Sequence, residues 1–239
     1  MIPGGANGTV NVVVAMNPGA AAFNVEYGIW VEEQHRQMCK LRAALRAHVP
    51  DNELRLLVEV GMAHSNDYFR LKAVAAKTDV FQLLSGMWLT LAERCFMWMG
   101  GLRPSEVLKI VIPQVEPLTE EQLLGIRNLQ QSLQQGEDAI SQAMEALQQS
   151  LADTIAGSLV DSSPNVANYM GQMAMAMGKL GTVESFVRQA DDLRQQTLQQ
   201  MLRIFTTRQS ARALLAVADY CTRLRALSSL WAARPQAKG

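Results

Sequence analysis

The chain has 239 residues, 22 basic against 22 acidic, with 49% apolar and only 6% aromatic side chains. That length can bury a sizeable core in one large domain or two small ones, and zero net charge gives no global argument for nucleic acid or an anionic membrane surface. Three scattered cysteines, Cys39, Cys95 and Cys221, are too few for a disulfide framework and point to a reducing compartment. No apolar run reaches the length of about 18 residues that a membrane span needs.

The opening, "MIPGGANGTVNVVVAMNPGAAAF", has no charged n-region and only a short apolar stretch, so it fails as a signal peptide. Its Gly, Ala, Asn and Pro content predicts a linker over residues 1–24, extended or disordered, and a linker at the start implies a segment upstream. A single helical domain is expected over 25–235, with a tail at 236–239. From Glu26 the pattern is helical almost everywhere, and a first helix is expected to Ala47, where Pro50 breaks it. Asp51 is placed to cap a second helix that ends near Ser85-Gly86.

"TLAERCFMWMGG" reads as a helix opened by a Thr90/Glu93 capping box and stopped by Gly100-Gly101. Pro104 starts a short helix that Pro113 closes. A second capping box, Thr119 with Gln122, opens a long Gln-rich helix to about Ile155. Along it Ile126, Leu133, Ile140 and Leu147 recur every seven residues, a seam for other helices or for a second copy. "AGSLVDSSPN" is the one strong internal loop. Helical patterning then continues to Trp231, broken near Gly181 and around Thr206. No strand-type alternation appears beyond the opening, so the fold class is all-α, a multi-helix bundle with long antiparallel helices.

Charge is unevenly spread. Nine acids face only Lys109 and Arg127 between Ser105 and Asp161, and seven arginines face only Asp219 between Arg194 and Arg234. Mutual neutralisation across the bundle is the plainer expectation.

Catalytic groupings are scarce. Glu32 and His35 form one Glu-x-x-His unit, where a di-iron bundle needs two of these and two more carboxylates. Cys95, beside Arg94, reads first as a packed thiol; as redox candidates Cys39, Cys95 and Cys221 are weak. No metal site and no enzyme are expected. "NYMGQMAMAMGKLG" admits three readings: copper(I) ligands, a pliable partner or ligand surface, or helix core. Met170, Met173 and Met177 share an apolar stripe with Leu180, which favours core. These methionines are expected to meet Trp88, Leu91, Phe96, Trp98 and Met99 around an adaptable apolar space. Either the side chains fill it themselves or it holds an acyl chain.

Long stretches carry a resemblance. "VFQLLSGMWLTLAERCFMWMGGLRPSEVLKIVIPQVEPLTEEQLLGIRNLQQSLQQGEDAISQAMEALQQSLADT", "NVANYMGQMAMAMGKLGTVESFVRQADDLRQQTLQQMLRIFTTRQSARALLA" and "RLRALSSLWAARP" resemble the C-terminal region of plant TGA-type bZIP transcription factors. The same domain type occurs in delay-of-germination seed dormancy proteins. The resemblance implies a nuclear regulator of transcription, with cytoplasm as the second location, acting in defence and development. It also implies a homodimer that binds an ankyrin-repeat salicylate-pathway coactivator, CC-type glutaredoxins and calmodulin, and that needs no cofactor beyond an acyl chain such as a fatty acid. DNA is read in that family through a basic region and zipper, which these 239 residues do not contain. Where a redox-regulated branch has "VCNLKQSC", this chain has "IRNLQQSL", with Arg127 and Leu133 at the cysteine positions, so that disulfide switch cannot form. Leu89 and Leu91 replace the Lys and Pro of "GMWKTPAERC". No haem-ligand motif is seen.

Overall fold

The computed structural model describes residues 18–160 and 166–234, with the side chains of 157–160 and 166–168 left aside. Residues 1–17 of the expected linker, the second half of the expected loop at 161–165, and residues 235–239 with the expected tail at 236–239 lie outside the described residues. Eight helices are described: α1 (Pro18–Arg46), α2 (Asp51–Ser85), α3 (Leu91–Cys95), α4 (Pro104–Val115), α5 (Glu120–Val160), α6 (Val166–Gly181), α7 (Val183–Ile204) and α8 (Thr207–Ala232). Two short strands, β1 (Met97–Trp98) and β2 (Gly101–Leu102), lie between α3 and α4. The all-α class holds.

Helix α1 begins at Pro18, eight residues before the expected start, because Ala20 and Phe23 are buried and extend its apolar stripe. Residues 18–24 are therefore helix rather than linker. Asp51 is in the first turn of α2 and does not cap it; Pro50 holds the N-cap position. Inside α2 the backbone kinks at Asp79, whose carboxylate accepts from the N–H groups of Phe81 and Gln82 at 3.0 and 3.2 Å and so caps a restart of the helix. The helix ends on Gly86 at φ 65°, and only glycine fits there: a Cβ would lie 2.1 Å from the Met97 sulfur.

Both capping boxes form. Glu93 accepts from the Thr90 N–H at 3.0 Å, and Thr119 and Gln122 exchange their two bonds at 3.1 and 3.2 Å. The helix expected from Thr90 to Gly100 is shorter than its pattern. It stops at Cys95, and Met97–Trp98 pair antiparallel with Gly101–Leu102 across a turn in which Met99 (φ 44°) and Gly100 (φ 74°) are both left-handed. That is the primed geometry a two-residue hairpin requires. Pro113 does not close α4, which continues to Val115. Helix α5 runs through the "AGSLV" half of the expected loop to Val160. The breaks at Gly181 and Thr206 are observed, and Thr206 caps α8.

Long α5 is the spine. Ile126 and Leu133 are buried with Leu108, Val111 and Val115 of α4, Met201 of α7 and Ala213 of α8. Ile140 packs on Trp98 and Ala190, and half-buried Leu147 reaches the Phe23–Leu83–Trp88–Val187 cluster. The seam is thus consumed inside the chain, with Leu133 only 1% exposed. It offers nothing to a second copy, and the self-association face expected from Ile126, Leu133, Ile140 and Leu147 is withdrawn. The two charge blocks do not neutralise each other either. Among the described residues no ion pair joins them: Arg194 meets Asp191, Arg208 meets Asp51 and Arg225 meets Glu93.

Candidate functional site

Two buried polar assemblies organise the middle of the molecule. In the first, Lys72 of α2 is fully buried and donates to Asp191 of α7 at 2.5 Å, while Arg194 binds the same carboxylate oxygen at 2.6 Å. The Arg194 guanidinium then reaches the hairpin, donating to Leu102 O at 2.7 Å, to Met99 O at 3.0 Å and to Trp98 O. Five fixed donors let one arginine hold three turn carbonyls and a carboxylate. A Cβ at Gly101 would lie 3.0 Å from the guanidinium carbon, so glycine is what allows the approach. These contacts explain why a helix-like pattern gives a hairpin: the carbonyls find a tertiary partner that a helix would deny them. Burial lowers the Lys72 ammonium to about 8, against the opposing pull of Asp191.

In the second assembly, Arg225 of α8 pairs with Glu93 at 2.9 Å and donates to the Tyr27 hydroxyl at 3.1 Å. Burial pushes Tyr27 up to about 12 and the Cys221 thiol up to about 11, so both stay protonated. This assembly forms part of the wall of a cavity of about 820 Å³ between α1, α2, α4, α7 and α8. Tyr27, Trp30, Tyr68, Leu102, Val107 and Leu214 supply apolar wall, and His35, Arg36, Arg42 and Asp219 supply polar wall. The side-chain oxygen of Gln34, also on the wall, is buried without a hydrogen-bond partner. The sequence reading missed this cavity. Its signals were Tyr27 and Trp30 one helical turn apart, and an arginine-rich α8 whose partners lie far away in the chain.

The predicted site residues do not meet. Trp88 is buried against Phe23 and Tyr27, with ring centroids 5.3 and 4.6 Å away. Trp98 is buried in a different cluster, donating to Ser141 Oγ at 3.0 Å with Arg103 and Arg194 over its ring. Leu91 and Phe96 are exposed, Phe96 touching Tyr220, and Met99 forms the hairpin turn. On α6, Met170 and Met177 are 62% and 72% exposed and only Met173 is half-buried. The helix-core reading of the methionines is therefore wrong, and the shared apolar space around an acyl chain has no basis in this arrangement. What α6 buries against α5 is the edge carrying Ala176, with Met173 and Leu180 half-buried beside it.

Cys39 is exposed with His35 Nε2 3.7 Å from its sulfur, Cys95 is exposed, and Cys221 is half-buried. Among the described residues no three His, Cys, Asp or Glu side chains converge as a metal site would require, and no helix is long and apolar enough to cross a membrane.

Comparison with known proteins completes the description. A family model described as seed dormancy control (DOG1) matches residues 37–113. The chain is 68% identical over 220 residues to transcription factor TGA2.2 of Oryza sativa subsp. japonica, covering 91% of this chain and 66% of that protein. It is 66% identical over 222 residues to transcription factor HBP-1b(c38) of Triticum aestivum, and 64% identical over 220 residues to transcription factor TGA2 of Arabidopsis thaliana. In both cases 91% of this chain and 67% of the relative are covered.

Proposed function

The chain belongs to the TGA family of plant transcription factors, and from that premise we propose that it is the regulatory, partner-binding and dimerising part of such a factor. The observation carrying this reading is identity of 64% or more across 91% of the chain to proteins named as transcription factors, which are not enzymes. The architecture fits. Its polar clusters are spent on holding elements together, while large apolar side chains stay outside: Leu91 and Phe96 near α8, Leu230 and Trp231 at the end of α8, and three methionines on α6. Exposed apolar side chains in such number mark surfaces that other proteins cover.

On this reading the protein works in the nucleus. Its partners are an ankyrin-repeat coactivator of the salicylate pathway, CC-type glutaredoxins and calmodulin, and a TGACG element is read only through a basic region and zipper. The test is capture of candidate coactivator and glutaredoxin proteins on the immobilised chain, beside a mobility-shift assay on TGACG duplex. Retention of at least one partner is expected, with TGACG duplex bound no better than scrambled duplex. No retention of any partner, or sequence-specific binding by these 239 residues, would contradict it.

A further inference from the structure

We propose that the C-terminal half of α8 is the docking face for an acidic amphipathic helix of a partner protein. The proposal rests on the partner-binding reading above and names a surface and a partner chemistry for it. Residues three and four apart follow one line along a helix, and on α8 such a line runs through Gln209, Ala213, Tyr220, Leu227 and Trp231. Helix α4 covers its first half. Gln209 donates to Val115 O at 3.0 Å, and Ala213 is buried with Leu108, Val111 and Val115. The start of α4 reaches Tyr220, whose hydroxyl is held above its ordinary value by burial and by the charges of Cys221 and Glu106. Past Tyr220 the line goes on without α4, and Arg223, Leu227, Leu230, Trp231 and Arg234 along it are all exposed. Short α3 lies alongside, with the Ala92 N–H on Ser228 Oγ at 2.8 Å and the Phe96 ring against Tyr220. It adds exposed Leu91 and Phe96 to the same end of the molecule.

Charge selects the occupant. Arg223 stands one turn before Leu227, Arg234 one turn past Leu230, and Arg94 is exposed on α3. Among the described residues no carboxylate pairs with any of the three. The acids nearby are already held: Glu93 by Arg225, Asp219 by Arg42 and Glu106 by Lys109. Arg234 lies over the Trp231 ring at 3.6 Å and donates to Trp231 O at 2.7 Å, which fixes it beside the apolar stripe with N–H groups to spare. The face is apolar in its middle and cationic at both ends, so its complement is apolar side chains flanked by carboxylates. The exposed apolar residues of α1 and α2 differ. Val25, Ile29, Leu56 and Val60 stand among both signs of charge, with Glu26, Arg36, Arg55 and Glu59 beside them, and select neither.

The spacing sets the size of the occupant. Arg223 and Arg234 lie about 16 Å apart along the axis. A helix of about three turns spans that distance, with carboxylates near both ends and leucine-like anchors between them. Laid there, it continues the line of α4 along α8 beyond Pro104. A seat bounded by α3 on one side and by the start of α4 at one end fits a single helix better than a flat lipid surface. One helix contact belongs to the small, transient class of interfaces, so binding is reversible and salt-sensitive.

The test uses the full chain and a fluorescein-labelled helical peptide of about 16 residues whose leucine face is bordered by glutamates, read by anisotropy. It should bind about tenfold or more tightly than the same peptide with lysines in place of the glutamates. Arg223→Glu with Arg234→Glu should weaken the acidic peptide about tenfold and turn the preference to the lysine peptide. Arg55→Glu with Arg188→Glu, exposed on other faces, should change neither. Leu227→Ser with Leu230→Ser should also weaken the acidic peptide about tenfold, with the melting temperature unchanged because both side chains are exposed. Equal binding of the two peptides, or an acidic preference untouched by the charge reversal, overturns the proposal. So does binding to phosphatidylserine vesicles without binding to the acidic peptide. Capture of coactivator and glutaredoxin proteins decides the partner-binding reading separately, so loss of this surface and loss of that reading are told apart.

Discussion

The α5 seam and the α6 methionines are apolar stripes of similar regularity, and they end on opposite sides of the molecular surface. Leu133 is 1% exposed and Met177 is 72% exposed, although helical spacing left the seam open to other helices or to a second copy and favoured burial of the methionines. What separates them is the number of neighbours. Among the described residues α4, α7 and α8 close over α5, whereas α6 has α5 along one edge and slight contact with α7. Periodicity tells which face of a helix is apolar; it does not tell whether the chain owns a second element to lay on that face.

The contrast can be broken or sharpened by mutation. The largest effect is expected where the interior holds charge. Asp191→Ala leaves Lys72 and Arg194 buried without their carboxylate, so a loss of about 3–5 kcal/mol is expected in urea unfolding; a loss under about 1 kcal/mol would mean that the pair is hydrated or rearranges. Next comes the direct pairing of the two stripes. Leu133→Ala should cost about 2–5 kcal/mol, as buried leucines do, whereas Met177→Ala in the monomer should stay within about 0.5 kcal/mol. Equal costs would place both stripes in the core.

A smaller effect comes from pH. The folded chain holds Lys72 at about 8, below its ordinary 10.5, so between those values the unfolded chain binds the proton more tightly. Stability referred to a Lys72→Met variant should therefore rise with pH above about 8, by at most about 1.4 kcal/mol per unit. The comparison should stop near pH 10. Tyr27 is raised to about 12 in the folded state, so its stabilising share is complete below its ordinary value and is lost above it. A flat difference between pH 8 and 10 would show that Lys72 has no lowered affinity for its proton.

Much of the fold was legible: the helical class, both capping boxes, the Gly86 stop and the breaks at Gly181 and Thr206 all follow from local chemistry. What was not legible depended on partners remote in sequence. The hairpin at 97–102 exists because Arg194, over ninety positions away, holds its carbonyls. Its one local clue was Gly100-Gly101, which a helix stop explains equally well. Trp88 and Trp98 looked like neighbours because one continuous helix was assumed between them; a helix ending at Cys95 sends them to separate clusters. The cavity wall assembles Tyr27, Glu93 and Arg225 from three helices and left no local motif to find.

Methionine oxidation, read residue by residue by peptide mass spectrometry after brief peroxide treatment of dilute chain, asks most directly which stripe is open. Met170, Met175 and Met177 should oxidise well before Met38 and Met201, which are buried in the core. Protection of Met177 equal to that of Met201 in the dilute monomer would place α6 inside the fold and contradict an open methionine face.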